Sequence, residues 1–293
     1  MDLVVGSSGP ISGVLQSRLK MAARDFLVVG RRIAAQADDG GAALRKQIVG
    51  KSFANVFFLL SSLRVDGRRL SDVEMEGLPE FEIARDFLPQ LDFKRLVFFS
   101  SAGAVYGHSP GRVVGEADHP RPISAYGKAK SLIEDLISRV DYCEGAGRLI
   151  LRIANPFGVI HGSQFRYGLI PALLANSIRG QATRIAVPMH HKKDFFSVSV
   201  LDDLLEQISS NISLAGVYNV GSGQSRSIAD VCDEIRRCTG LSPRLELEDN
   251  GSGFDADSGT LDVAKLSRIV PFRPDHQFDV ELRRLFGSMH RGG

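Results

Sequence analysis

Apolar runs alternate with amphipathic stretches along the first half of the chain. The apolar runs predict buried strands at 2–5, 26–29, 56–60, 96–99 and 149–153. The stretches between them predict helices at 14–21, 41–50, 74–91 and 126–140. Strands that are apolar throughout and alternate with helices are typical of a parallel sheet covered on both faces. We therefore predict an α/β fold with a doubly wound parallel sheet.

The alternation becomes less regular after residue 155. Helices are predicted at 169–178, 202–209 and 228–239, with a short strand at 217–220. Residues 249–260 are polar and rich in glycine, and they predict a loop. Asp202 and Asp203 fall at the start of a predicted helix, where carboxylates interact well with the helix dipole, so we interpret them as capping residues.

Composition limits the classes of partner. The chain has 293 residues, a formal net charge of +2 and 43% hydrophobic residues, so a nucleic-acid surface is not indicated. No apolar run approaches the roughly 20 residues of a membrane span, and no secretion signal is evident. The three cysteines lack C-x-x-C spacing, and His108, His190 and His191 lack metal-ligand spacing. We expect a cytoplasmic protein that binds no metal, nucleic acid or membrane.

A glycine-rich loop follows the first strand and precedes the first helix. Such a loop brings the backbone close to a pyrophosphate, whose charge then meets the helix N-terminus. The residues expected to bind a dinucleotide here are Gly6, Ser8, Gly9, Pro10 and Ile11. Ser12 stands where a third glycine is usual, and Gly13 comes one position late. A junction of strand, turn and helix that binds nothing also uses glycine, so this alternative stays open.

The end of the second strand favours one dinucleotide. An acidic residue at this point binds the ribose of NAD, whereas an arginine accommodates the 2′-phosphate of NADP. Here Gly30 takes the acidic position, and Arg31 and Arg32 follow it. Because guanidinium groups bind phosphate well, the pattern favours NADP. A pair of solvated arginines is the alternative.

Tyr126 and Lys130 form a candidate acid–base pair. On a helix they lie about one turn apart on the same face. A phenol has a pKa of about 10, and a nearby ammonium lowers it by stabilising the phenolate. The pair is therefore suited to proton transfer near neutral pH. A surface helix that carries a tyrosine and two lysines is the alternative.

Several segments together resemble a known family. Besides the Gly6 loop and the Tyr126 helix, they are residues 98–107 with Glu116, 151–158, 193–198 with Asp202 and Asp203, and 216–223. In this order the segments are similar to the extended short-chain dehydrogenases/reductases, in the NAD-dependent epimerase/dehydratase group that acts on nucleotide sugars. The resemblance covers nearly the whole chain.

The resemblance implies an architecture and residue roles. A Rossmann-like domain would span residues 1–155, with segments of about 180–220 returning to it, and residues 156–293 would mainly form a smaller mixed α/β substrate domain. Tyr126 would act as acid and base, and Lys130 would hold the nicotinamide ribose. Leu60, Ser61 and Ser100 would line the NAD(P) site, and a homodimer would form through the Tyr126 helix.

The resemblance leaves the substrate-binding hydroxyl ambiguous. Counting back from Tyr106 places it at Ala102, which would then lie against the substrate, whereas counting forward from the strand end or back from Tyr126 places it at Ser101. Two counts of three favour Ser101, with Ser100 in reserve. Asn155 would contact the substrate, or it would close a strand with Pro156 in a turn.

The basic residue expected to bind the substrate phosphate is also missing. Residues 249–260 contain no Arg or Lys, and the candidates that remain nearby are Arg244, Lys265, Lys192 and Lys193.

The function implied is an NAD(P)-dependent 4-epimerase or keto-sugar reductase that acts on a nucleotide-activated sugar. Two alternatives remain open. One is a non-catalytic protein that senses a dinucleotide, and the other is a reductase of a ketone or alcohol that carries no nucleotide.

Overall fold

A computed structural model describes residues 1–30, 45–63, 70–140, 142–161, 163–247, 257–270 and 278–290. The central sheet has six strands in the order β2-β1-β3-β4-β6-β11, and every neighbouring pair is parallel. The strands are β1 (Asp2–Val5), β2 (Phe26–Val29), β3 (Ser52–Phe58), β4 (Asp92–Ser101), β6 (Gly147–Ile153) and β11 (Gly216–Val220). The predicted doubly wound α/β fold is confirmed.

Helices cover both faces of this sheet. On one face α1 (Pro10–Met21) and α7 (Val198–Ser210) enclose a core that includes Leu15 and Leu201. On the other face α5 (Ala125–Arg139) packs with the helical stretch that begins at α3 (Pro79–Glu82). The sheet is therefore buried on both sides, which explains why its strands read as continuous apolar runs.

The predicted helix over 74–91 is interrupted. Its parts are α2 (Asp72–Glu76), then α3, a π-helical turn (Ile83–Phe87) and a 3₁₀ turn (Leu88–Gln90). Pro79 lacks an N–H group and starts α3, so the helix cannot run through it from α2. The apolar face still packs as predicted, with Phe81 and Phe87 in the core.

A second group of elements lies outside the central sheet and comes mostly from the chain after β6. It contains a four-stranded sheet in the order β12-β10-β7-β8 and the two-stranded sheets β13-β9 and β14-β5. Its strands are β5 (Val113–Val114), β7 (Asn155–Ile160), β8 (Ser163–Phe165), β9 (Ala182–Ile185), β10 (Lys192–Ser197), β12 (Ser225–Ser227), β13 (Arg244–Leu247) and β14 (Thr260–Leu261). The remaining helices are α4 (Ala102–Val105), α6 (Leu169–Ile178), α8 (Ile228–Thr239) and α9 (Phe278–His290), with a 3₁₀ turn at Leu266–Arg268. A separate core holds α6, α8 and α9 together.

Two local predictions were wrong. Asn155 and Pro156 do not close a strand, because they begin β7 and pair with Phe195 and Phe196 of β10. Asp202 and Asp203 do not open a helix, because α7 starts at Val198 and Ser197 caps it. Asp202 instead forms an ion pair with Arg18 of α1, which ties the two helices together.

No helix among the described residues is both long and apolar enough to cross a bilayer.

Candidate active site

A cleft opens where the strand order reverses between β1 and β3. In open α/β sheets such a switch point leaves a crevice at the carboxyl ends of the strands. The crevice encloses about 740 Å³ of space open to solvent. We call it the switch-point cleft, and its wall is formed by Ser8, Gly9, Pro10, Ile11, Ser12, Leu59, Leu60, Ser61, Phe99, Ser100, Tyr126 and Lys130.

The cleft gathers most of the residues predicted to bind a dinucleotide. Those that line it are Ser8, Gly9, Pro10, Ile11, Leu60, Ser61, Ser100, Tyr126 and Lys130. Gly6 forms the turn behind the wall, and Arg31 and Arg32 lie outside the described residues. Sequence reasoning missed Leu59, Phe99 and Ser12 as wall residues. Their positions in the sequence could have identified them, since Leu59 and Phe99 lie at the ends of apolar strand runs and Ser12 replaces a glycine.

The glycine loop requires its first glycine and fixes its serine. Gly6 has a φ of +117°, and a Cβ atom there would lie 2.8 Å from the backbone nitrogen of Leu60. Ser12 is buried and its Oγ donates a 2.6 Å hydrogen bond to the carbonyl of Gly6. Ser12 thus holds the turn closed through a hydrogen bond. A glycine at this position would instead allow close packing of the backbone. The first turn of α1 has no acidic residue, so its N–H groups suit an anionic ligand.

Tyr126 and Lys130 project from the first turns of α5 into the switch-point cleft. Ser124 caps the helix by accepting a 3.1 Å bond from the Gly127 backbone nitrogen. A Cβ atom at Gly127 would lie only 2.4 Å from the carbonyl oxygen of Ala104, so α5 and α4 meet backbone to backbone. This close approach brings the phenol of Tyr126 within hydrogen-bonding reach of Ser101, which precedes α4.

The electrostatics of the pair differ from the expectation. Burial raises the pKa of the Tyr126 phenol above its usual value, and the Ser101 hydrogen bond opposes that shift only in part. Burial also lowers the pKa of Lys130 to about 8, against the opposing influence of Glu80 and Glu134. The Lys130 Nζ donates a 2.9 Å bond to the carbonyl of Phe99 and lies 5.8 Å from the centre of the Tyr126 ring. The predicted lowering of the Tyr126 pKa was therefore wrong for this arrangement.

The two neighbouring serines have different partners. The Ser100 Oγ bonds to the buried carboxylate of Glu134, which also receives a 2.8 Å bond from Arg152. Because an ionised carboxylate only accepts, the single proton of Ser100 is committed to Glu134. Ser101 instead acts on the Tyr126 phenol and lowers its pKa, against the larger effect of burial. The geometry favours Ser101 over Ser100 as the hydroxyl beside the phenol.

A second cavity, with about 270 Å³ of empty space that is partly open to solvent, begins at Ala102, the residue after Ser101, and is lined by both predicted substrate contacts, Ala102 and Asn155. We call it the Asn155 cavity; its other lining residues are Gly103, Tyr106, Gly107, Ser109, Val114, Ala154, Asp194, Ser258, Gly259 and Leu261. The Nδ2 of Asn155 donates a 2.8 Å bond to the backbone carbonyl of Asp194, so this side chain also links β7 to β10.

Side-chain hydrogen bonds hold the Asn155 cavity together. Buried Asp194 accepts bonds from the Ser222 backbone and hydroxyl, both at 2.8 Å, and from Gly223 at 3.0 Å. Burial nevertheless raises the pKa of Asp194 to about 6. The Tyr106 hydroxyl donates a 2.7 Å bond to Asn219 and accepts a 2.9 Å bond from Arg152. These bonds therefore join loops, strands and helix ends that lie far apart in sequence at one wall of the Asn155 cavity.

The basic residues considered for phosphate binding lie in different places. Lys265 donates a 2.6 Å bond to the Val217 carbonyl and sits 4.1 Å from the Tyr218 ring centre, so it is committed to β11. Arg244 is exposed on β13, and neither residue lines the Asn155 cavity. Lys192 and Lys193 begin β10 beside the cavity segment 257–259.

Comparison with known proteins is consistent with this geometry. The model of the NAD dependent epimerase/dehydratase family matches residues 81–221. A structure of MoeE5 in complex with UDP-glucose and NAD superposes with a TM-score of 0.79 at 25% identity, covering 99% of each chain. The chain is therefore similar to the NAD-dependent epimerase/dehydratase family over 141 of its 293 residues. The matched segment includes β4, α5 and β6, and so the Ser101, Tyr126 and Lys130 positions.

Two relatives of this family illustrate its range. A putative UDP-glucose 4-epimerase of Methanocaldococcus jannaschii is 27% identical over 157 residues, which are 53% of this chain and 50% of that protein. A dTDP-4-dehydro-6-deoxyglucose reductase of Escherichia coli is 26% identical over 203 residues, 67% of this chain and 61% of that protein. The chain spans about half to three-fifths of the length of these curated relatives.

A Bacillus cereus UDP-glucuronic acid 4-epimerase shares the fold of this chain. It has a TM-score of 0.78 at 18% identity and covers 100% of this chain and 99% of its own.

Proposed function

We propose that the chain is an NAD(P)-dependent enzyme that modifies a nucleotide-activated sugar by hydride transfer, with Tyr126 as the acid–base residue. One observation carries this proposal. Tyr126 lines the switch-point cleft, and Ser101, which acts on its phenol, stands in sequence between Ser100 of the cleft wall and Ala102 of the Asn155 cavity wall. A dinucleotide in the cleft and a sugar in the cavity would meet at these two residues.

The switch-point cleft has features that a dinucleotide needs. The turn at Gly6 is tight, and the N-terminus of α1 carries no acidic residue to repel a pyrophosphate. Gly9 has a φ of +130° and open space around its Cβ position, so the backbone at this point is accessible. When bound, the nicotinamide ring supplies the site that accepts and returns hydride.

The chain's own residues would handle the substrate oxygen and its proton. Ser101 donates to the oxygen of the reacting carbon and orients it. Tyr126 takes the hydroxyl proton when that carbon is oxidised and returns it on reduction. An oxidised nicotinamide carries positive charge, and such a charge beside the phenol opposes the rise in the Tyr126 pKa that burial causes. The buried ammonium of Lys130, bonded to Phe99, adds positive charge to the same wall. A dinucleotide sensor has no need of this arrangement.

Two net reactions fit this chemistry. A 4-epimerase oxidises the sugar carbon and returns hydride to its other face, while a keto-sugar reductase consumes reduced dinucleotide. The relatives include both kinds, the Methanocaldococcus jannaschii epimerase and the Escherichia coli reductase. MoeE5 and the Bacillus cereus epimerase were determined with UDP-sugars and NAD, which favours UDP-linked sugars here. We also propose that the chain forms a homodimer, that it is cytoplasmic, and that its two domains divide near residue 155.

Mass spectrometry of small molecules that co-purify with the chain tests this function. We expect a nicotinamide dinucleotide, and turnover of UDP-glucose or a UDP-linked 4-keto sugar by the purified protein. Co-purification of NADP rather than NAD would agree with Arg31 and Arg32, and Arg31→Asp with Arg32→Ala should then shift the affinity ratio towards NAD. A chain that binds no dinucleotide would contradict the proposal.

A further inference from the structure

Three imidazole rings meet beside the Asn155 cavity. The His191 ring centre lies 5.1 Å from that of His190 and 6.4 Å from that of His108. His108 follows the Tyr106 turn, whereas His190 and His191 end the loop between β9 and β10. We call these three residues the histidine cluster.

The histidine cluster borders the cavity wall. His108 stands between Gly107 and Ser109, both of which line the Asn155 cavity. On the other side, the Ser258 backbone nitrogen donates a 2.9 Å bond to the carbonyl of Lys192, the residue after His191. Ser258 lines the cavity as well, so segments that adjoin the cluster line the cavity from two parts of the chain.

Two polar atoms in the cluster and the adjoining cavity segment are buried without a hydrogen-bond partner. They are the Nδ1 of His191 and the Oγ of Ser258. A buried polar group without a partner costs free energy, so such atoms commonly mark the place of a ligand. A metal ion is not indicated, because no group of His, Cys, Asp or Glu side chains among the described residues is arranged to hold one.

The charges around His191 favour a negatively charged ligand. The groups that act on its ring are His108, His190, Lys193 and Asp257. Asp257 is engaged already, since its Oδ1 accepts a 2.7 Å bond from the Lys192 backbone nitrogen. Burial lowers the pKa of His191 below its usual value, with His190, Lys193 and His108 acting in the same direction and Asp257 opposing them. An added negative charge would reverse this shift and bind a proton.

We propose that the histidine cluster is an oxyanion subsite of the Asn155 cavity, which binds a negatively charged group of the substrate and takes up a proton as it does so. This inference rests on the proposed function. The shared chemistry is a phosphoryl or carboxylate oxygen, and it has two sources in a nucleotide sugar: the diphosphate, or a carboxylate on the sugar. The cluster would thus supply the positive charge that residues 249–260 lack in their sequence.

Calorimetric titration of the full chain, with saturating NAD present, tests the subsite. UDP-glucose and UDP-glucuronate are the probes, because the diphosphate diester keeps a constant charge between pH 5.5 and 8.5. Titrations in buffers of different ionisation enthalpy count the protons taken up. For wild type we expect net uptake near pH 7 and an affinity that falls as pH rises, by at most about tenfold per unit for one proton. His191→Gln should abolish the uptake and flatten the pH dependence.

Two further variants and the second probe make the result specific. His290→Gln, at the exposed end of α9, should behave as wild type. His108→Gln should reduce the uptake in part even if the His191 variant folds poorly. Equal uptake with both probes assigns the diphosphate as the anion, while uptake with UDP-glucuronate alone assigns the sugar carboxylate. Binding without uptake, unchanged in His191→Gln, overturns the subsite and leaves the proposed function intact. Absence of binding by both probes overturns the UDP-sugar assignment together with the subsite.

Discussion

The switch-point cleft and the Asn155 cavity are built in different ways. The cleft forms along the carboxyl edge of one parallel sheet, mainly from the glycine turn, strand ends and the first turns of α5. The cavity is assembled from segments that lie up to 150 residues apart, such as Ser109 and Gly259, joined by side-chain hydrogen bonds. The first depends on local backbone geometry, whereas the second depends on many distant contacts being made together. Tyr126 and Ser101 lie at the boundary.

The largest effect is expected at that boundary. Tyr126→Phe removes the phenolic proton but keeps the ring, so turnover should fall by about 100-fold to 10,000-fold. Dinucleotide affinity, which the cleft backbone provides, should change by less than about threefold. Steady-state kinetics and a fluorescence titration measure the two quantities. Equal loss of both would mean that Tyr126 belongs to the cleft structure rather than to the chemistry.

The backbone character of the cleft can be tested with one glycine of the turn and one of the helix that follows it. Gly6→Ala places a Cβ against the Leu60 backbone in a left-handed conformation, and it should cost about 2–4 kcal/mol of unfolding free energy, with loss of dinucleotide binding. Gly13→Ala is the control, because Gly13 is exposed in α1 with nothing near its Cβ position. It should stabilise the protein by about 0.5–1 kcal/mol. Urea denaturation gives both values, and similar costs would contradict the account of Gly6.

The serine pair sharpens the boundary between the two regions. Ser101→Ala should lower kcat by about 100-fold, as the loss of one donor to a reacting oxygen does. Ser100→Ala should lower kcat by much less, because the Ser100 proton is committed to Glu134. The reverse order would transfer the assignment to Ser100.

The smallest effect is a pH dependence within the cleft. With a pKa of about 8, Lys130 loses its charge as the pH rises beyond that value, and dinucleotide affinity should then fall by at most about tenfold per unit. Lys130→Met should bind weakly at all pH values without this decline. Lys128→Met, exposed on the same helix, should keep the wild-type profile. A wild-type affinity that stays constant up to pH 10 would contradict the assignment.

Sequence reasoning performed better for the cleft than for the cavity, for the same structural reason. The bounds of β1 and β2 matched the apolar pattern, and nine cleft residues were anticipated, because strand ends and glycine turns leave local signals. The histidine cluster has no such signal, since His108 and His191 become neighbours only through tertiary packing. Asp202 was misinterpreted because its partner Arg18 lies on a distant helix. The Tyr126 pKa was misjudged because burial cannot be read from spacing.

The contact between Gly127 and Ala104 has a consequence for how the chemistry can be lost. The distance between the Tyr126 and Ser101 oxygens depends on Gly127 having only a hydrogen atom in place of a side chain, although Gly127 touches neither oxygen. A single methyl group at this point would wedge the two helices apart and leave every acidic, basic and hydroxyl side chain in place. An inspection of the acidic, basic and hydroxyl side chains alone would class that variant as active, although its Tyr126 phenol and Ser101 no longer meet.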